Sequence, residues 1–322
     1  MALAVGLAAI FLYLALRDVD WPAFWLSLVN GQYQYLVITI PMALLELFLR
    51  SMRWGVLLRA EKKIPRSQIF WSNMVGYMGN SYLPARAGEV LRSFAISRKY
   101  DFSPSFALAT ALTERVVDVI VLVLISSISL LSIKSDSEVF STALKGVAGV
   151  AFSGLLVILV SPKLEKQIGF LINHLPIPEK WKIQINSQLN LFLQGMGTLQ
   201  NLRRLLTFLG FTIMIWLIDG IGAMIGANLV SSKLTLPQSL LYLSALGLSS
   251  AIPSTPGYVG VYQFVAVTVL VPFGFSKNNA LAFVLISQVV NYILVGILGL
   301  AGLWQLKTKG IIKNTLSSNA SE

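Results

Sequence analysis

The chain has 322 residues, of which 55% are apolar and only 12% charged, with a mean hydropathy of +0.72; a soluble domain carries about 25% charge, so a soluble globule is excluded. There is no cysteine and a single histidine, His174, which excludes disulfides, cysteinyl zinc sites and iron–sulfur clusters, and no metal or cofactor is expected. The formal net charge of +11 invites a nucleic-acid reading until the positions of the basic residues are considered.

Apolar runs long enough, or nearly so, for a hydrocarbon core about 30 Å thick predict spanning helices over 2–16, 33–58, 106–131, 143–161, 205–230 and 279–304. Two further apolar stretches, 68–99 and 238–274, are interrupted by glycine and proline. The alternating strands of a β-barrel are missing. The predicted fold class is an all-α polytopic integral membrane protein, with six spanning helices and two re-entrant broken-helix hairpins. Residues 1–32 hold the first span and an outer loop, and 33–304 form the membrane domain. Within it, 162–204 read as an amphipathic linker lying on the inner membrane surface, and 305–322 as a disordered cytoplasmic tail.

That topology sorts the charges. Sixteen lysines and arginines fall on one side, Arg59, Lys62, Arg92, Arg203 and Lys307 among them. The other side holds five: Arg17, Lys134, Lys145, Lys233 and Lys277. By the positive-inside rule the richer side is cytoplasmic, which predicts a multi-pass cell-membrane protein with both termini inside. The +11 then needs no nucleic-acid partner, and membrane lipids are the expected partners.

The interrupted stretches repeat one another. Leu83-Pro84-Ala85-Arg86-Ala87-Gly88-Glu89 aligns with Ile252-Pro253-Ser254-Thr255-Pro256-Gly257-Tyr258 at a constant spacing of 169 residues, which also carries Arg50 onto Asp219. The halves, about 33–131 and 205–304, are read as inverted repeats. A helix broken in hydrocarbon frees backbone groups that only protein or a wet cavity can satisfy. Half-helix N-termini near Gly88 and Gly257 are therefore expected to offer N–H groups to an anion in such a cavity.

Four basic residues remain inside apolar segments, Arg50, Arg53, Arg86 and Arg115, with the acids Glu46, Glu89, Glu114, Asp118 and Asp219. Charges at that depth are costly and should face one another or water. Glu46, Arg50, Arg53 and Asp219 read as supporting ion pairs. Arg86, Glu89, Glu114, Arg115 and Asp118 read as lining the cavity, where a guanidinium fork suits phosphate oxygens.

The run Gly76-Tyr77-Met78-Gly79-Asn80-Ser81-Tyr82-Leu83-Pro84-Ala85-Arg86-Ala87-Gly88-Glu89-Val90-Leu91-Arg92 is one part of a wider pattern. Thr113-Glu114-Arg115 with Asp118, Arg50-Ser51-Met52-Arg53-Trp54, and Pro253 through Tyr262 complete it. Together these residues resemble the lysylphosphatidylglycerol synthase transmembrane family, also called the flippase-like domain family, over nearly all of 33–304. One member, the membrane half of the bacterial multiple peptide resistance factor, resembles a translocator of aminoacylated phospholipid and precedes a soluble aminoacyl-transferase domain. Residues 305–322 offer no such domain, so the chain is not expected to be a lipid synthase, nor an enzyme. The resemblance implies a substrate site at Asn80, Arg86, Gly88, Glu89, Arg92, Glu114, Arg115 and Asp118, with Pro253, Thr255, Pro256, Gly257 and Gly260 as a second motif. The function expected is translocation of an anionic phospholipid or lipid-linked headgroup between leaflets. The alternatives are an intramembrane lipid-modifying transferase or phosphatase using the carboxylates, and a non-catalytic partner of a lipid-modifying enzyme. Homo-oligomerisation stays open.

Overall fold

A computed structural model describes residues 2–83, 87–100, 103–132, 178–250 and 255–318. Span 143–161, His174, Pro84, Arg86 and Pro253 lie outside the described residues. The described residues are helical, without strands. In chain order the helices are α1 (Ala2–Leu16), α2 (Trp21–Val29), α3 (Leu36–Leu58), α4 (Arg66–Tyr82), α5 (Gly88–Tyr100) and α6 (Pro104–Ser132). They continue with α7 (Glu179–Gly197), α8 (Leu202–Gly226), α9 (Leu236–Ser249), α10 (Val261–Leu270) and α11 (Lys277–Ser318).

Five segments are long and apolar enough to cross a membrane: Tyr33–Leu58, Pro104–Ser132, Leu202–Val230, Pro256–Phe273 and Lys277–Lys307. Four coincide with predicted spans, and α1 is a shorter apolar helix. The fifth, Pro256–Phe273, falls in the second interrupted stretch and joins a short turn to α10 across Gly257 and Gly260, both at positive φ. The continuous part, α10, has 10 residues and is therefore about 15 Å long.

Local signals account for the breaks. Leu83 leaves α4 in extended geometry, as expected for the residue before a proline. Asn201 caps α8 by accepting from the Arg204 amide at 3.2 Å, and Gln238 accepts from the Thr235 amide at 2.9 Å at the start of α9. α11 is helical to Ser318, through part of the stretch read as a tail. In α7, Trp181 and Ile183 are exposed, but Leu193 and Met196 are buried and Gly195 fits tightly against Ala109 and Thr113 of α6.

The helix boundaries reproduce the 169-residue spacing: α3 corresponds to α8, α4 to α9, α5 to α10 and α6 to α11. α3 and α8 pack antiparallel, with Thr39 near Gly226, Arg53 bonded to Thr212 and Leu57 against Phe208. Equivalent helices that run antiparallel make the repeats inverted, related by a pseudo-two-fold axis between α3 and α8. The remaining packing obeys the same symmetry: α4 lies on α11 and α9 on α6, so each half's first hairpin helix rests on the other half's last helix. Glycines allow the approach, with Gly296, Gly299 and Gly302 against α4 and Gly247 against Leu122.

In the first half the broken segment doubles back. Gly76 meets Arg92, Gly79 meets Gly88, and Ile69 shares a buried cluster with Ile96, so α4 and α5 form an antiparallel hairpin. At Gly88 the backbones nearly touch, and a Cβ there would sit 1.9 Å from the Gly76 carbonyl oxygen. Backbone cannot yield as a side chain does. Gly88→Ala is therefore expected to cost about 1–3 kcal/mol or more, the usual range for overpacking, read as a lower unfolding midpoint in detergent. Gly222→Ala, with only Met42 Cε at 3.8 Å from its Cβ, should leave the midpoint unchanged.

Candidate functional site: a polar cavity between the repeats

The two interruptions meet. The end of α4 at Ser81 lies against the turn at Gly257, whose Cβ would fall 3.3 Å from the Ser81 carbonyl oxygen. Gly257 has φ +72° and its carbonyl accepts from Gln288 Nε2 at 3.1 Å and from the Tyr292 hydroxyl. Gln263 links the set, donating to Gln288 and accepting from the Gly260 amide at 2.7 Å. Two amides and a tyrosine thus hold the second turn. The second half-helix starts at Val261 rather than at Gly257, and the Gly260 N–H is taken by Gln263. That end of the hairpin offers a bound carbonyl where free N–H groups were expected.

Behind the first turn lies a buried ion-pair network. Arg53, 2% exposed, donates to both Asp118 oxygens at 2.6 and 2.9 Å and to Glu114 at 3.1 Å, with its guanidinium 5.1 Å from the Phe208 ring centre. Arg92 contacts Glu89 at 2.6 Å and Glu114 at 2.9 Å, donates to Asn73 at 2.7 Å, and lies 4.5 Å from the Trp54 ring centre. Glu89 also accepts from Arg115 at 2.7 Å and from Asn80 at 3.2 Å. Arg92, which the charge count places on the cytoplasmic side and the resemblance places in the substrate site, is 2% exposed and inward-facing, three residues after Glu89 on one helix face.

In front of this network is a cavity of about 390 Å³. Its charged wall is Glu46, Arg50, Arg115, Asp118 and Asp219, with Asn80, Ser81, Tyr77, Trp216, Tyr258 and Asn291 among the polar and aromatic lining. Arg50 donates to Asp219 at 2.9 Å and pairs with Glu46, one guanidinium serving two carboxylates. Arg50 and Asp219 are repeat equivalents, so their contact marks the symmetry axis itself. Arg115 is the most exposed arginine of the group, its side chain 31% accessible. Among the described residues, which leave out Arg86, the wall is mixed, three acids to two arginines, and both arginines are ion-paired.

Of the residues expected at the site, Asn80, Arg115 and Asp118 reach the cavity, as do Glu46, Arg50 and Asp219 from the supporting set. Glu89, Arg92 and Glu114 stand behind them with Arg53. Gly88 and Gly257 serve close approaches, Pro256 belongs to the second turn, and Thr255 donates to the Val259 carbonyl at 3.0 Å. Trp216 and Asn291 escaped the sequence reading, and Tyr258 was part of the second motif but was not assigned to the site. Asn291 and Gln288 had a usable signal, two amides three residues apart in an otherwise apolar span.

Two inverted repeats of antiparallel helices enclosing a polar cavity define a multi-pass helical membrane protein of the broken-helix type. A family model described as the lysylphosphatidylglycerol synthase TM region matches residues 1–299, and the chain belongs to that family. It is also 28% identical over 238 residues, 73% of this chain and 96% of the relative, to the UPF0104 membrane protein MJ1078 of Methanocaldococcus jannaschii.

Proposed function

We propose that the protein carries the headgroup of an anionic phospholipid, or of a lipid-linked anion, through the cavity between its repeats and so moves the lipid between leaflets. The observation that carries this reading is the cavity of about 390 Å³ where both interruptions meet, walled by charges in a protein otherwise built for hydrocarbon. Charged groups at such depth need partners, and a solute's charge would find them here. Arg115 is the group that contacts phosphate, with Asn80 and Tyr258 beside it. Rocking of one inverted repeat against the other would alternate access of the headgroup to the two leaflets. The family's lipid-related name supports a lipid substrate. Glu114 and Asp118, the carboxylates a transferase would need, each accept from Arg53, a role in positioning arginines rather than in moving substrate protons.

Liposomes test the proposal. Purified protein reconstituted with headgroup-labelled phosphatidylglycerol should bring inner-leaflet label to an external quencher faster than protein-free vesicles do, with the lipid covalently unchanged. Phosphatidylethanolamine should move more slowly. Equal rates with and without protein, or a modified lipid product without movement, would overturn the reading.

A further inference from the structure

A second, apolar cavity of about 260 Å³ adjoins the polar one. It lies between α3, α8, α9 and α11, and the two share Glu46, Asp219, Leu243, Leu246 and Asn291 as common wall. Gly222, Ala223 and Gly226 of α8 open this cleft. The repeat spacing places them opposite Arg53, Trp54 and Leu57 of α3, at most 2% exposed and packed solid. Glu114 and Asp118 likewise correspond to Phe283 and Ser287, which line the cleft. One half therefore fills this position with its own large side chains and ion pairs; in the other Phe283 closes on Gly226, its ring 3.2 Å from where a Cβ would sit, and the space is left beside Gly222 and Ala223. Apolar surface left unfilled forfeits packing unless a ligand supplies the missing atoms.

Trp216 adds an independent observation. It is 7% exposed, lines the polar cavity, and its indole N–H has no acceptor among the described residues. A buried donor without a partner is costly, and a phosphate or ester oxygen would satisfy it. The two cavities together thus call for one amphipathic molecule, oxygen-rich at one end and hydrocarbon at the other. We infer that the cleft opened by Gly222, Ala223 and Gly226 is the binding site for an acyl chain of the lipid whose headgroup occupies the polar cavity. The inference rests on the lipid-headgroup reading above, and it adds that the bound chain is held on the second repeat's side of the axis.

The experiment uses phosphatidylglycerol carrying a photoactivatable diazirine in one acyl chain, crosslinked to the detergent-solubilised protein and mapped by mass spectrometry. Labelling is expected at Met42, Ala223 or Leu294 of the cleft. Gly222→Phe, whose Cβ has free space, should cut that labelling at least tenfold while the unfolding midpoint holds. A diazirine diacylglycerol, lacking phosphate, should label the cleft less than one tenth as well. Labelling confined to outward residues such as Val37, Ile38 and Phe48, unchanged cleft labelling in Gly222→Phe, or equal labelling by the diacylglycerol would each overturn the inference. Cleft labelling in a protein that fails the liposome assay would instead remove lipid movement and leave the binding site standing.

Discussion

Arg53→Ala is expected to lower stability by about 3–5 kcal/mol, the range for removing one partner of a buried ion pair. The loss comes from what stays behind. Asp118 would lose both of its short contacts to Arg53 and Glu114 one of its two guanidinium partners, in surroundings with little water. For a chain of this size that corresponds to an unfolding midpoint lower by on the order of 10 °C, measured by intrinsic fluorescence in detergent. Lysine should not rescue it, since one ammonium cannot reproduce the fork that spans Asp118 and Glu114. Neutralising the orphaned acids should: Arg53→Met with Asp118→Asn and Glu114→Gln is expected to regain part of the loss. A midpoint within 2 °C of the parent for Arg53→Ala would show that the network contributes little.

Arg115→Ala is expected to act on function instead. Its side chain is 31% accessible, and its partner Glu89 keeps Arg92 at 2.6 Å, so no carboxylate is stranded and the unfolding midpoint should change little. Movement of phosphatidylglycerol in liposomes should fall at least about tenfold, equivalent to losing about 1.4 kcal/mol of interaction. Arg115→Lys should fall in between, keeping the charge but not the bidentate geometry. Wild-type rates in Arg115→Ala at normal expression would remove the phosphate role assigned to it.

Much of this fold was legible because the bilayer constrains it so tightly. Long apolar runs marked α3, α6, α8 and α11, and the spacing that relates Pro84 to Pro253 also carries Arg50 onto Asp219, a relation the structure turns into a direct contact. Side-chain direction was less legible. Arg92 follows an interrupted helix and resembles a surface charge until α4 and α5 fold back and bring it against Trp54. The mixed character of the cavity wall depends on which helix each arginine meets, and spacing along one helix does not say that. The apolar cleft was invisible for a related reason: glycines such as Gly220, Gly222 and Gly226 in an apolar helix are ordinary packing residues, and only the folded molecule shows open space beside Gly222 and Ala223, where the equivalent Arg53 and Trp54 pack solid.

The contact between Arg50 and Asp219 also bears on how such a molecule could have arisen. In an isologous dimer of two identical half-length chains, the residue on the two-fold axis faces its own copy. Arginine would then confront arginine, or aspartate aspartate, at a depth where like charges repel strongly. An attractive pair at that point requires the two copies to differ, so the opposite charges could be acquired only once the halves had become separately encoded. The central ion pair thus requires two halves of different sequence, and neither half could make that contact with a second copy of itself.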